Sequence, residues 1–376
     1  MSTALAFAPV GMVWAFLPIH LRSLGASFSL ISLTLLLPAL ETIVLSPLWG
    51  GLLDSTRRSR EIILGAVLAQ ALEFTLFPFL ATPEQFVVAV SLAGVFTSSF
   101  IPVYSAMATW TSQQYGRAIG GFWAAASLGF GSATLLGGIV YELFDARHLF
   151  GLGAVYGFLG CFAVLLISRR AVAPSGAVPK SRGYLGLLRQ RNILTLCIIS
   201  VLAIVSTSAF NSFFTLYLVD FLGGSRLMAG LAATGTTVLG ALAFRLVGPL
   251  NDRKGRKPVF LLGTVGYVVY FLATFLVTNA LVVTILWILP IYPFIQSSAA
   301  ALASDYTSAS DRGKGLGLLE SAISLGGGLG PLAGGIIADA FELRAVILFS
   351  LATALASAIS SQLFLQEHAR RAQATL

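Results

Sequence analysis

The chain has 376 residues, of which 57% are hydrophobic and only 10% charged. A soluble domain carries about 25% charged residues, so a chain this apolar cannot cover its surface in water, and lipid must solvate it instead. The net charge of +8 does not point to nucleic acid, because the basic residues sit in short patches between apolar runs. Cys161 and Cys197 lie in or beside apolar runs and offer neither a disulfide framework nor metal spacing.

A spanning helix needs roughly 20 mostly apolar residues. Twelve such stretches follow one another, at about 3–21, 28–53, 61–80, 86–108, 117–140, 148–168, 193–219, 227–250, 258–278, 281–303, 314–338 and 343–365. The first is too long for a signal-peptide core and lacks a small-residue cleavage site, so it reads as a membrane span. Short connections make neighbouring spans antiparallel, and an even number places both termini on one side. Of the 23 Lys and Arg residues, eighteen fall in loops on that side. Four fall on the other side (Arg22, Arg147, Arg226 and Arg344), and Arg245 lies within a span. Basic loops stay in the cytoplasm, so the expectation is a multi-pass plasma-membrane protein with cytoplasmic termini.

In chain order, the second span carries Glu41, thirteen residues before Asp54. At 1.5 Å per residue that is about 19 Å into the bilayer. An ionised residue at the centre of a span costs about 2.5–3.5 kcal/mol. Glu41 therefore either exchanges a proton during a cycle or stays protonated in a hydrogen bond. Glu73, in the middle of the third span, poses the same choice, and Glu320, about two turns into the eleventh from the inside, either takes part in proton exchange or pairs with a motif cation. Arg245, about 10 Å into the eighth span, needs a carboxylate such as Glu41 or Glu320, or an anionic substrate. The fifth span has small residues every fourth position (Gly121, Ala125, Gly129, Ala133, Gly137), and the eleventh repeats the pattern (Ala322, Gly326, Gly330, Gly334, Ala338). Such stripes let helices pack closely, here one half of the chain on the other, with Pro331 in the same element. Residues 169–192 form a linker with Pro174 and Pro179, dividing the chain into six-span halves, 1–168 and 193–376. Its end, Tyr184 to Arg191, reads either as a short helix along the membrane surface or as a solvated loop.

The halves resemble each other. Leu24-Gly25 matches Leu222-Gly223, Gly50 to Asp54 matches Gly248 to Asp252, Arg117 matches Arg312 and Gly137-Gly138 matches Gly334-Gly335, at offsets of 198, 198, 195 and 197 residues. Repeats of six spans are parallel, related by an axis along the membrane normal, with the substrate site between them near the midplane.

The segment Gly248-Pro-Leu-Asn-Asp252-Arg253-Lys-Gly255-Arg256-Lys257 resembles the G-x-x-x-D-R-x-G-R-K pattern of the major facilitator superfamily. The first copy, Gly50 to Arg60, keeps Gly50 and Asp54 but has Ser55 and Arg57 where arginine and glycine are usual. Gly330-Pro331-Leu-Ala-Gly334-Gly335 resembles the G-P-x-x-G-G element of drug:proton antiporters in the family, where it belongs to the fifth span; here that span has Ala133-Thr134 instead. The resemblance covers the whole chain and implies an all-α integral membrane fold of twelve helices in two pseudo-symmetric six-helix bundles. It also implies a cytoplasmic gate built from Gly50, Asp54, Gly248, Asp252, Arg253, Gly255 and Arg256. Close interbundle packing is assigned to Gly129, Gly137, Gly326, Gly330, Pro331 and Gly334. The cavity is expected from spans one, four, seven and ten, which offer Trp14, His20, Ser98, Ser99, Tyr104, Ser206, Ser208, Asn211, Tyr217, Trp287, Tyr292 and Gln296, with Arg245 from span eight.

The leading expectation is a secondary transporter of a small organic solute, working by alternating access, with export as its first reading. The proton is the natural coupling ion, through Glu41, Glu320 and Glu73. Uptake of a small metabolite such as a sugar or carboxylate is the alternative, and a non-transporting sensor on the same fold a third reading. No phosphate-cradling loop is present, and scattered histidines argue against an enzyme or a metal site. No cofactor beyond the proton is expected. The partners are the solute and membrane lipid, without nucleic acid, and the monomer is the functional unit.

Overall fold

The computed structural model describes residues 2–56, 58–100, 103–104, 115–166, 184–308 and 311–367. Its long helices are α1 (Ser2–Ser23), α2 (Phe28–Thr56), α3 (Ser59–Leu76), α4 (Pro83–Thr97), α5 (Tyr115–Leu143), α6 (Ala146–Leu165), α7 (Arg191–Phe221), α8 (Arg226–Lys254), α9 (Arg256–Leu276), α10 (Ala280–Asp305), α11 (Arg312–Phe341) and α12 (Leu343–Phe364). Eleven are long and apolar enough to cross a membrane. The fourth is described over 15 residues, and part of the chain beyond it lies outside the described residues. The arrangement is consistent with twelve spans. In hydrocarbon every backbone polar group must be satisfied within the chain, which is why so apolar a sequence goes into helices.

Polar residues between the apolar runs start the helices. Asp145, Ser225 and Asn279 accept from the backbone N–H groups of His148, Met228 and Val282, each at 3.1 Å, satisfying donors that a helix start leaves free. Gly25 and Gly223, 198 residues apart in the repeat, both take left-handed backbone (φ 87° and 68°) after α1 and α7, a conformation open to glycine because it lacks Cβ. Before α7, a short helix, Tyr184–Leu188, buries Leu187 fully and sits against α7 and α11. Residues 169–183 of the expected linker lie outside the described residues.

Within the first half α1 packs on α5 and α6; within the second, α7 packs on α11 and α12. The halves meet through two pairs related by the repeat, α2 with α11 and α5 with α8. The small-residue stripes serve differently from expectation. A side-chain carbon at Gly129 or Gly137 would run into the backbone of Ala4 or Met12 on α1, and one at Gly326, Gly330 or Gly334 into the backbone of α7. These five glycines therefore pack each half internally. The cross-half approach uses their neighbours, Gly131, Gly138, Gly328 and Gly335. At 3.6 residues per turn, a step of one or two residues turns to another face. Of the expected interbundle set, Pro331 does reach across: its carbonyl accepts from Ser32 Oγ at 2.6 Å.

At Gly330 a Cβ would stand 2.9 Å from Ala209 N and Val205 O. Overpacking of this kind typically costs about 1–3 kcal/mol. Gly330→Ala is expected to lower the thermal unfolding midpoint of the purified protein in detergent. Gly317→Ala on the same helix, where nothing lies within 4 Å, is expected to leave it unchanged or raise it.

Candidate functional site

Four helices are interrupted along their length. α1 breaks between Trp14 and Leu17, α4 between Thr97 and Phe100, α7 between Asn211 and Phe214, and α10 between Ile288 and Tyr292. Pro18 follows the first break and Pro290 sits in the last; a proline lacks the N–H that continues a helix. In α7 two serines bond back to carbonyls beside the break. Ser208 Oγ donates to the carbonyl of Ile204 at 2.7 Å and Ser212 Oγ to that of Ser208 at 3.0 Å, and such back-bonding bends helices. Ser98 Oγ likewise donates to Val95 O at 2.8 Å beside the break in α4. The breaks in α1 and α7 are 197 residues apart, so they follow the repeat. Interrupted helices in transporters supply the free backbone dipoles of a midplane site.

Around these breaks, Trp14 is half-buried. Trp287 stacks on Phe214 (centroids 3.6 Å apart, 19° between planes), and Tyr292 lies over Gly240 and edge-on to Phe244. Asn211, Arg245 and Gln296 are exposed. Ser98 Oγ also accepts from Trp49 Nε1 at 2.9 Å, tying α2 to α4. Ser99 and Ser206 are buried, and Ser208 Oγ reaches Gly326 O on α11. Tyr104 and Tyr217, expected at the cavity, pack inside instead. Tyr104 is buried against Phe100 and Phe122, and Tyr217 is fully buried among Phe210 and Phe221. His20 is held edge-on by Phe86 and Phe150.

The expected carboxyls separate. Glu320 is exposed on α11. Glu41 and Glu73 fall in the same region of the first half, where Glu73 lines a cavity whose wall includes Gly94. Glu41 Oε2 rests on Gly94 of α4, one turn from the break there. Both Glu41 Oε2 and Glu73 Oε1 are buried without a hydrogen-bond partner among the described residues.

The end of the molecule away from the basic loops is closed. Asp339, at the end of α11, caps α2 of the other half: Oδ1 accepts from Phe28 N and Oδ2 from Ser29 N, both at 2.8 Å, and Ser29 Oγ donates to Oδ2 at 2.5 Å. Glu142, at the end of α5, caps α8 in the same way, accepting from Arg226 N at 2.8 Å. The two carboxylates are 197 residues apart and their targets, Phe28 and Arg226, are 198 apart. A carboxylate at a helix N-terminus is favoured by the helix dipole. Thr234 Oγ1 donates to Gly131 O at 2.7 Å further along the same seam.

Toward the basic end the contacts between the halves thin out among the described residues. Among the described residues, the cross-half hydrogen bonds and glycine contacts along α2 stop by Ala39 and those along α8 by Thr237. Gly50, Gly51 and Gly248 have nothing within 4 Å of a built side-chain carbon. Asp252 and Arg253 are exposed, and the side chain of Asp54 lies outside the described residues. The rest of the second motif is held by its own half. Gly255 turns with φ 92°, and Glu367 accepts from Arg256 N and Lys257 N, each at 2.8 Å. The Arg256 guanidinium pairs with Asp305 and donates to Ala301 O at 2.7 Å. Among the described residues no group of His, Cys, Asp or Glu is arranged to hold a metal.

The family model of the Major Facilitator Superfamily matches residues 1–220 and 196–375. The chain belongs to the major facilitator superfamily. As a superfamily member it is 26% identical to the multidrug resistance protein MdtG of Enterobacter lignolyticus (strain SCF1), over 96% of this chain and 89% of the relative. It is 27% identical to MdtG of Erwinia billingiae (strain Eb661), over 98% and 92%. Its fold matches that of the nucleoside transporter NupG, with a TM-score of 0.83 at 14% identity over 96% of each chain. It also matches an inward-facing, occupied bacterial homolog of the human lysosomal transporter Spinster, with a TM-score of 0.81 at 15% identity over 96% and 94%.

Four residues of this superfamily member escaped the sequence reasoning: Gln70, Glu142, Asp339 and Glu367. The last three sit at helix ends, where carboxylates are common and solvated. The one signal available was the offset of 197 between Glu142 and Asp339, the same as that of the glycine pairs four residues before each.

Proposed function

We propose that this chain is a proton-coupled exporter of a small organic solute, acting as a monomer in the plasma membrane with its basic loops and both termini in the cytoplasm. The observation that carries the reading is the one-sided closure of two repeat-related halves around four interrupted helices. With the basic end in the cytoplasm, the structure is the inward-facing partner of an alternating-access pair. The printed function of the MdtG relatives, multidrug resistance, supports export over uptake. Glu41 is the proton carrier in this reading: its carboxyl is buried against α4 beside the break, and a charge left there is costly. Trp14, Trp287, Tyr292, Asn211 and Gln296 are the groups offered to the solute, and aromatic faces with a few amides suit a weakly polar organic molecule.

The test is proton movement in proteoliposomes holding a pH dye, challenged with a panel of hydrophobic amines, lipophilic weak acids, nucleosides and sugars. At least one solute is expected to move protons in the opposite sense to its own flux. Solute flux without proton movement overturns the coupling, and absence of flux across the panel with correctly folded protein overturns the transport reading.

A further inference from the structure

A cavity of about 160 Å³ lies between α1, α2, α3 and α4, lined entirely by residues of the first half. Glu73 and Gln70 line it, together with the rings of Phe7, Trp14 and Phe100. Glu73 is 6% exposed and Gln70 2%, and Oε1 of each is buried with no hydrogen-bond partner among the described residues. Glu41 adjoins from α2: its Oε2, buried and equally unpartnered, rests on Gly94, which is itself part of the lining. A buried polar group left unsatisfied costs about 1–3 kcal/mol. Three oxygens at one cavity that find no hydrogen-bond partner among the described residues therefore call for a ligand that brings N–H groups. The aromatic faces beside them attract a cation. Drug-sized sites run to roughly 300–1,000 Å³, so this one takes a headgroup rather than a whole molecule.

We propose that the cavity binds a protonated primary amine headgroup, with Glu73 as its counter-ion and Gln70 Oε1 and Glu41 as further hydrogen-bond acceptors. Binding is an exchange. The ammonium arrives as the Glu73 carboxyl gives up its proton: the carboxyl O–H bond breaks, the proton passes to water, and the alkylammonium takes its place beside the carboxylate. Charge in the site is conserved, so no uncompensated carboxylate is left in hydrocarbon. Among the described lining residues Glu73 is the one that titrates, and Glu41 is the neighbouring group that shares the charge. The site rests on the proton-coupled reading and names a solute class for it, but binding is measurable without transport.

The experiment titrates hexylammonium chloride into the purified full chain in detergent, by calorimetry at pH 7 in phosphate and again in MOPS, neither of which carries a primary amine. The ionisation enthalpies of these buffers differ, so the pair counts protons. Saturable binding is expected, with about one proton released per amine, and no binding of hexan-1-ol to the same site. Glu73→Gln is expected to weaken the amine about tenfold or more, the loss of one charge-assisted hydrogen bond. Gly94→Ala is an independent variant that keeps Glu73 and crowds the Glu41 carboxyl, and it is expected to weaken binding as well; thermal unfolding checks that both variants fold. Absence of saturable amine binding by wild type, or unchanged affinity in both folded variants, overturns the proposal. Amine binding as expected with no solute flux in proteoliposomes would sink the transport reading and leave this site standing; flux without amine binding does the reverse.

Discussion

Glu41→Gln is expected to reduce proton-driven solute movement about 100-fold or more, the scale on which a positioned proton-transferring group contributes. Solute-for-solute exchange across the same vesicles is expected to persist, because glutamine keeps the shape and polarity of the side chain and removes only its titration. The structure gives the reason for so large an effect at one position. The Glu41 carboxyl sits against Gly94, one turn before α4 breaks, so a change in its protonation acts on a helix that borders the solute path. A variant that loses exchange and proton-driven flux together would mean that Glu41 holds the fold or the solute rather than the proton.

The second large effect concerns the closed end. Asp339→Ala combined with Glu142→Ala removes both cross-half caps and leaves the backbone N–H groups of Phe28, Ser29 and Arg226 without them. Carboxylates at exposed helix N-termini contribute about 0.3–1 kcal/mol each, and Asp339 adds hydrogen bonds from three donors. The pair is expected to shift the balance away from the structure described by about 1–2 kcal/mol, or roughly 5–30-fold in population. The readout is the rate at which an impermeant thiol reagent, added outside, modifies a cysteine placed at Leu36 in a protein lacking Cys161 and Cys197. A rate raised about 5–30-fold is the expected result; an unchanged rate would show that the glycine seam at Gly138 and Gly335 closes this end without the carboxylates.

Much of the fold was legible because membrane spans are long and apolar and the repeat offset barely varies. The second span was read to 53 and runs to Thr56; the fifth was read as 117–140 and runs Tyr115–Leu143. The helix breaks were only half legible. Pro18 and Pro290 announce two of them, but the break after Asn211 has only back-bonding serines beside it, and the same bonding occurs in helices that run on unbroken, such as α2 at Ser32 and Thr34. Spacing of four marked Gly129, Gly137, Gly326, Gly330 and Gly334 as positions of close approach between the halves, and each meets a helix of its own half instead. It did not say which helix they meet, since that depends on how α5 and α11 are turned. Tyr104 and Tyr217 looked like cavity residues because their hydroxyls are polar, yet their rings fill the interiors of the bundles. Gln70 went unremarked because an uncharged amide in a span is cheap enough to pass as packing until its cavity is seen.

The central claim is that the two ends open reciprocally. Spin-label distances measure this most directly, in a cysteine-free background, with one pair of labels at Thr56 and Lys254 on the basic end and another at Ser23 and Phe341 on the opposite end. On shifting the pH from 8 to 5, or on adding a transported solute, a second population is expected in which the Thr56–Lys254 distance shortens while the Ser23–Phe341 distance lengthens. Two distance distributions that stay unchanged, or that move in the same direction, would contradict alternating access and leave a static assembly of the same fold.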